Sequence, residues 1–246
     1  REALLKVTRF YSTHNPDELT SLEDYVSRMK DDQKEIYYIS GENLETLKNS
    51  PQIEGFVSRG IEVLFFTDTI DDFWLQSVVD YKQHTFKSVT KGDVDLSSFD
   101  TDATESDKEK QDQSKSDSKA DKQTQELLDS LKNILTEEVG DVRASKRMTN
   151  SAVCLVAGDN DVDLRMERVL KVHQQYEAST KRVLEVNPDH PLITVMKDMH
   201  KGGESLDDAA WLLLDQAKVI QGEPISNPSR FAKTMSDIMA KGLENR

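Results

Sequence analysis

The 246 residues give room for two modest domains, each with its own core, and a composition 32% charged and 7% aromatic reads as soluble and helix-leaning. A formal charge of −14 leaves no basic surplus to displace counterions, which argues against nucleic acid as a partner. No apolar run reaches the length of about 18 residues that a membrane helix needs, so no membrane partner is expected.

The chain opens on Arg1-Glu2-Ala3, neither a Met nor a basic-then-apolar leader, and reads as a piece of a longer protein. Cys154 is the one cysteine, which excludes an internal disulfide and fits a reducing cytoplasm. Residues 1–12 read as a helix tail running into a loop. Ser21-Leu22-Glu23-Asp24 is a capping-box pattern that opens a helix through Met29. Ile36-Tyr37-Tyr38-Ile39 is a strand stopped by Gly41. Helices follow at 42–49 and 53–59, the second closed by Gly60 as a C-terminal cap. Ile61 to Phe66 is almost wholly apolar, as a strand buried on both faces should be. A helix over 70–81 and a weak strand at 86–89 complete the region. Short strands alternating with helices predict a small α/β layer with a parallel pair.

Between Phe99 and Leu127 there is no Val, Ile, Leu, Met or aromatic residue, and nine acids face five bases. Such composition cannot bury a core, so 100–126 is expected to be an acidic polar linker or an exposed helix. From Leu127 an amphipathic helix carries Leu128, Leu131, Ile134, Leu135 and Val139 and ends at Gly140. Strands are expected at 141–145, 152–156 and 183–186, and helices at 161–176 and 192–201. The order α-β-β-α-β-α-α-α predicts an α+β domain with a small sheet and a helical end.

That end is a tandem pair. Ser205, with Asp208 three positions on, is placed to cap a helix through Gln221. Asn227-Pro228 starts another through about Leu243. In the first, Leu206, Ala210, Leu213, Ala217 and Ile220 form a stripe, but Trp211, Leu212 and Leu214 fall off it. The second carries Phe231, Met235, Ile238 and Met239. Two helices with this much apolar surface need cover from their own domain and from a copy of themselves.

Chemistry-bearing motifs are few. The five histidines have no metal-ligand spacing with cysteines or acids, so no metal is expected. Gly202-Gly203 lacks the phosphate-loop pattern. Cys154 lies in the apolar run Val153–Val156 and reads as a small core residue. The stretch Asp71-Asp72-Phe73-Trp74 allows a core helix anchored by Trp74 or an exposed aromatic for apolar partners. Val162, Met166, Val169 and Leu170 share a helical face that serves either as core or as a Met-bearing partner surface.

Several stretches together resemble a known family. These are Ser21 to Lys30 with Ile36 to Ile39 behind it, Gly60 to Leu64 with Asp68, Ile70 and Asp71, and Asp141-Val142-Arg143 with Arg147-Met148-Thr149. Asn187-Pro188-Asp189-His190-Pro191-Leu192 and Leu212-Leu213-Leu214-Asp215-Gln216-Ala217 complete the set. In this order and spacing they resemble the ninety-kilodalton heat-shock chaperones, of the bacterial high-temperature protein G type.

The resemblance implies an α/β distal middle-domain piece at 1–99, the linker at 100–126, and an α+β C-terminal domain with a small sheet and a terminal helical dimerisation hairpin at 127–246. It implies a cytoplasmic stress-response chaperone that forms a homodimer and binds partly unfolded client proteins. The alternative is a purely structural dimerisation module with no client binding of its own. ATP and Mg are expected in the full-length protein only, so this chain is expected to carry no cofactor and to be no enzyme. The family's acidic–tryptophan client pair aligns with Asp72 and Phe73, with the tryptophan one place on at Trp74, a turn of about 100° on a helix. The family's amphipathic client helix aligns with Val162, Met166, Val169 and Leu170. The expected dimer interface is Leu213, Leu214, Ala217, Phe231, Met235 and Ile238.

Overall fold

The structure is a computed structural model and describes residues 2–75, 77–92, 94, 96, 98–99, 117–158, 161–167 and 180–244. The chain forms two compact units that interleave in sequence: 1–104 with 146–149 and 156–180, and 105–145 with 150–155 and 181–246. This differs from a serial division at 100–126. The reason is hydrogen bonding. The buried Arg147 guanidinium donates to the Val89 and Gly92 carbonyls. Ala157 N–H donates to the Thr90 carbonyl at 2.9 Å. Both short segments are thereby tied into the first unit.

In the first unit, helices α1 (Glu2–Leu5), α2 (Leu22–Arg28), α3 (Leu44–Lys48), α4 (Glu54–Ser58) and α5 (Thr69–Trp74) accompany a five-stranded sheet. Its strands are β1 (Tyr11–Ser12), β2 (Glu35–Ser40), β3 (Leu64–Phe66), β4 (Asp80–Tyr81) and β5 (His84–Ser88), in the spatial order β1-β3-β2-β5-β4. The expected parallel core is present, since β2 pairs with both β3 and β5 in parallel. The sheet as a whole is mixed, however, because β1 and β4 add antiparallel edges. Those edge strands are two residues each, too short to show periodicity. The helix expected over 70–81 stops at Trp74. Ser77 and Val78 N–H both fold back onto the Trp74 carbonyl at 2.9 Å, and Val79 then leads into β4.

Local chemistry explains the elements that match expectation. Ser21 caps α2 through the Asp24 N–H at 3.1 Å. Gly60, at φ +66°, ends α4 with its N–H on the Val57 carbonyl, a left-handed position that favours glycine. Two cores flank the sheet, one around Tyr37, Phe56, Ile61 and Phe65, the other around Leu22, Tyr25, Ile36 and Phe66.

The second unit holds α6 (Asp117–Ile134), β6 (Val139–Ala144), β7 (Val153–Val156, which ends at the unit boundary) and β8 (Arg182–Val186). It also holds α7 (Pro191–Lys201), α8 (Asp207–Ile220) and α9 (Pro228–Glu244). The strands form a sheet in the order β6-β8-β7, with β6 and β8 parallel. Helix α6 begins ten residues before Leu127, at Asp117, so part of the acidic segment is helical. Gly140 lies inside β6 rather than closing α6. Of the helix expected over 161–176, residues 164–167 are helical and 168–176 lie outside the described residues. In Asn187-Pro188-Asp189-His190 the Asn187 amide donates to the Ser151 carbonyl at 3.0 Å, and His190 caps α7 with Pro191 at its first position. Leu127, Leu131, Leu135, Leu155, Leu184, Ile193, Met196, Leu213 and Leu214 belong to one buried core.

Candidate interaction surfaces

Helix α5 places the first group of expected site residues. Asp68 and Asp71 form a reciprocal capping box at its start. Asp71 is buried and accepts a hydrogen bond from Trp74 Nε1 at 2.9 Å. Burial pushes its carboxyl above the ordinary range, against the opposing pull of that bond. Trp74 packs among Phe66, Phe10 and Phe86, with ring centroids 5.6, 6.2 and 5.5 Å away. It is half-buried and packed against the core, the first of the two readings its sequence allowed, rather than standing free as an exposed aromatic. Phe73, one position earlier, points out and is 50% exposed. Ile70, one turn before it, and Val79 are exposed as well. The backbone of Asp72 continues the helix.

The second group lies on 161–167. Asp163 accepts from Ser88 Oγ at 2.5 Å, Thr90 Oγ1 at 2.6 Å and Arg165 N at 3.0 Å. Arg165 Nη1 reaches the Phe66 carbonyl at 2.8 Å. These bonds hold the segment against β3 and β5, with Leu164 buried and Val162 and Met166 half-buried. Val169 and Leu170 lie outside the described residues.

The third group is split by the structure. Leu213, Leu214 and Ala217 sit in the unit's own core with Ala210. Residues so enclosed cannot also face a second subunit, so their expected interface role is corrected. Ser205 does not cap α8: it bonds the neighbouring Asp207, and Leu206 takes the cap position without a side-chain bond. The off-stripe Trp211 is covered by α9, whose Arg230 guanidinium lies 3.7 Å from the ring centroid. Asn227 does cap α9, accepting from Arg230 N at 3.0 Å. Beyond that first turn α9 is unlike every other long helix here. Of its 17 residues Thr234 is the buried one, while Met235, Ile238, Met239 and Leu243 are exposed and Phe231 is half-exposed. Spacings of four, three, one and four put these five on one face.

Sequence reasoning listed Met239 among the apolar residues of this helix but left it out of the expected interface, and it missed Leu243 on that face and Val219 as an exposed apolar residue on α8. The signal for Leu243 was present as continuation of the Phe231, Met235, Ile238, Met239 spacing.

One unit thus carries a five-stranded mixed sheet with helices and the other a three-stranded sheet with helices, and each presents exposed apolar side chains on helices. The sequence model of the family described as Hsp90 protein matches residues 1–246. Curated relatives include the chaperone protein HtpG of Ehrlichia ruminantium (strain Welgevonden), 44% identical over 98% of this chain and 38% of that protein. The HtpG proteins of Wolbachia pipientis wMel and Rickettsia bellii (strain RML369-C) are 42% and 38% identical over 98% of this chain, covering 37% and 38% of their own lengths. The chain belongs to the Hsp90 family. It spans about two fifths of the length of the relatives it matches.

These matches correct expectations drawn from the resemblance. The family model runs through the whole of 1–246. The placement as a distal middle-domain and C-terminal piece, with the fold class taken from it, is withdrawn. The exclusions built on that placement go with it: that the nucleotide part is absent, that the chain carries no ATP or Mg, and that it is no enzyme. Among the described residues no helix is long and apolar enough to cross a membrane.

Proposed function

We propose that this chain is a chaperone component that pairs with a second copy of itself through α9 and contributes apolar surface to the binding of partly unfolded proteins in the cytoplasm. The observation that carries the reading is the uncovered face of α9: Phe231, Met235, Ile238, Met239 and Leu243 on a helix of which only Thr234 is buried. Exposed aliphatic and Met side chains in one stripe suit a symmetric helix contact, in which the same patch serves both subunits. For client binding the support is Phe73, Ile70 and Val79 around α5, and the half-buried Val162 and Met166. The name chaperone carried by the relatives agrees with the client-binding part of this reading.

Sedimentation of the purified chain at micromolar concentration tests pairing. A dimer that becomes a monomer on Ile238→Asp is expected; a wild-type monomer overturns the reading. A second reading, a structural pairing module without client contact, predicts that Phe73→Ser and Met166→Asp leave suppression of client aggregation unchanged.

A further inference from the structure

Trp211, Asp215 and Lys218 stand at i, i+4 and i+7 on α8, and each reaches α9 or the turn before it. Arg230 lies over Trp211, with its Nη2 3.7 Å from Asp215 Oδ2. Lys218 Nζ donates to Ser226 Oγ and to Glu138 Oε2, both at 2.7 Å, and Ser226 Oγ also donates to Glu138 at 3.0 Å. Asp215 is 1% exposed, and neither of its carboxylate oxygens has a hydrogen-bond partner. The Nε and Nη2 atoms of Arg230 are buried without one as well. A buried carboxylate just beyond hydrogen-bond distance of a partly exposed guanidinium is a poor source of stability. Burial pushes the Asp215 carboxyl upward despite the opposing pull of Arg230 and Lys218, which shows the same imbalance. What such a pair does supply is direction, since it is satisfied at one helix orientation and at few others.

We propose that Asp215, Arg230 and Trp211 form a positioning clasp that fixes the direction in which α9 leaves α8, and so presents the apolar face of α9 to a second copy in a single register. The proposal rests on the pairing reading above. Past Thr234 no buried side chain of α9 resists its swinging, so the first turn alone sets its path. The backbone of that turn is fixed by the Asn227 cap on Arg230 N, and Lys218 and Glu138 hold Ser226 just before it, so within the turn itself the guanidinium supplies the charged contact to α8.

The test uses the full chain with Asp215→Asn, Arg230→Met and the double substitution. Two readouts are taken: self-association by sedimentation and hydrogen exchange of the 226–234 amides. Either single change is expected to weaken association about tenfold and to speed exchange at 226–234 while the β8 amides stay protected. The double change is expected to lose no more than one single change, because it leaves neither charge buried alone. Additive losses, or association equal to wild type in all three, overturn the clasp. Should the wild-type chain sediment as a monomer, the pairing reading fails on its own. Exchange at 226–234 still decides the clasp, and unchanged protection in both single variants overturns it.

Discussion

Gly55 N–H donates to the Arg147 carbonyl at 2.6 Å, and a Cβ on Gly55 would stand 2.5 Å from that same oxygen. Residues 92 positions apart in sequence thus meet backbone to backbone, and the contact admits no side chain. Gly55→Ala forces α4 and the 146–149 segment apart, breaking the bond as well as crowding the site. A loss of about 2 to 4 kcal/mol is expected from overpacking plus a lost buried hydrogen bond. Urea unfolding measures it; a loss below about 0.5 kcal/mol, the range of ordinary surface changes, would contradict the close approach.

Tyr25 is the polar hub of the first unit. Its hydroxyl donates to the Glu62 carbonyl at 2.8 Å and accepts from Tyr37 N and Gln33 Nε2, both at 3.0 Å. Burial pushes the pKa of the phenol far above the usual tyrosine value, so it stays neutral and keeps donating. Tyr25→Phe strands buried groups on β2 and on the chain leading into β3. An expected cost of about 2 to 4 kcal/mol follows from one to three kcal/mol per unsatisfied group. The urea midpoint should fall with an unchanged slope, and amide exchange at Tyr37 should quicken.

The β4–β5 hairpin turns on Lys82 and Gln83, at φ 49° and 70°, with Tyr81 opposite His84. Two successive positive φ values are the geometry of a tight hairpin turn that favours glycine at its second place. Gln83→Gly is expected to stabilise the unit by about 0.5 to 1 kcal/mol, visible as a rise in Tm. A lowered Tm would mean that Gln83 supports the fold in some other way.

Lys218 holds the Glu138 carboxyl below its ordinary range, through the hydrogen bond first and their charge attraction besides. A carboxyl depressed on folding adds stability above its unfolded value, and that increment is lost as pH falls through the folded value. Lys218→Met should therefore cost about 1 to 2 kcal/mol at neutral pH, discounted for partial exposure, and progressively less on acidification toward about pH 3. Urea titrations at the two pH values check this; a deficit independent of pH would assign the loss to packing instead.

Phe73 and Trp74 are neighbours with opposite fates. Phe73→Ser removes an exposed ring, so its Tm should stay within the range of surface changes, about 0.5 kcal/mol, while suppression of client aggregation falls. Trp74→Ala empties the site among Phe10, Phe66 and Phe86 and should cost about 3 to 5 kcal/mol. Equal effects on client suppression at unchanged stability would invalidate the division between them.

Most elements were written locally. Ser21, Gly60 and Asn227 act on backbone groups within a few residues, and each performs at its expected place. The apolar run at 64–66 and the α9 spacing are likewise periodicities that a single segment contains. Family membership was legible for the same reason, because ordered local motifs carried it.

Tertiary structure decided whatever depends on which face meets which. Spacing placed Leu213, Leu214 and Ala217 on an apolar helix, but only packing shows that their own core takes them and leaves α9 open. Trp74 could not be told from Phe73 as core or surface until Phe66 and Phe86 came up against it. The interleaved units, the edge strands β1 and β4, and the burial of Asp215 under Arg230 all join residues distant in sequence or in separate elements. A periodic pattern records that a side must be covered. Only the assembled chain determines what covers it, because burial is a property of neighbours and not of the residue itself.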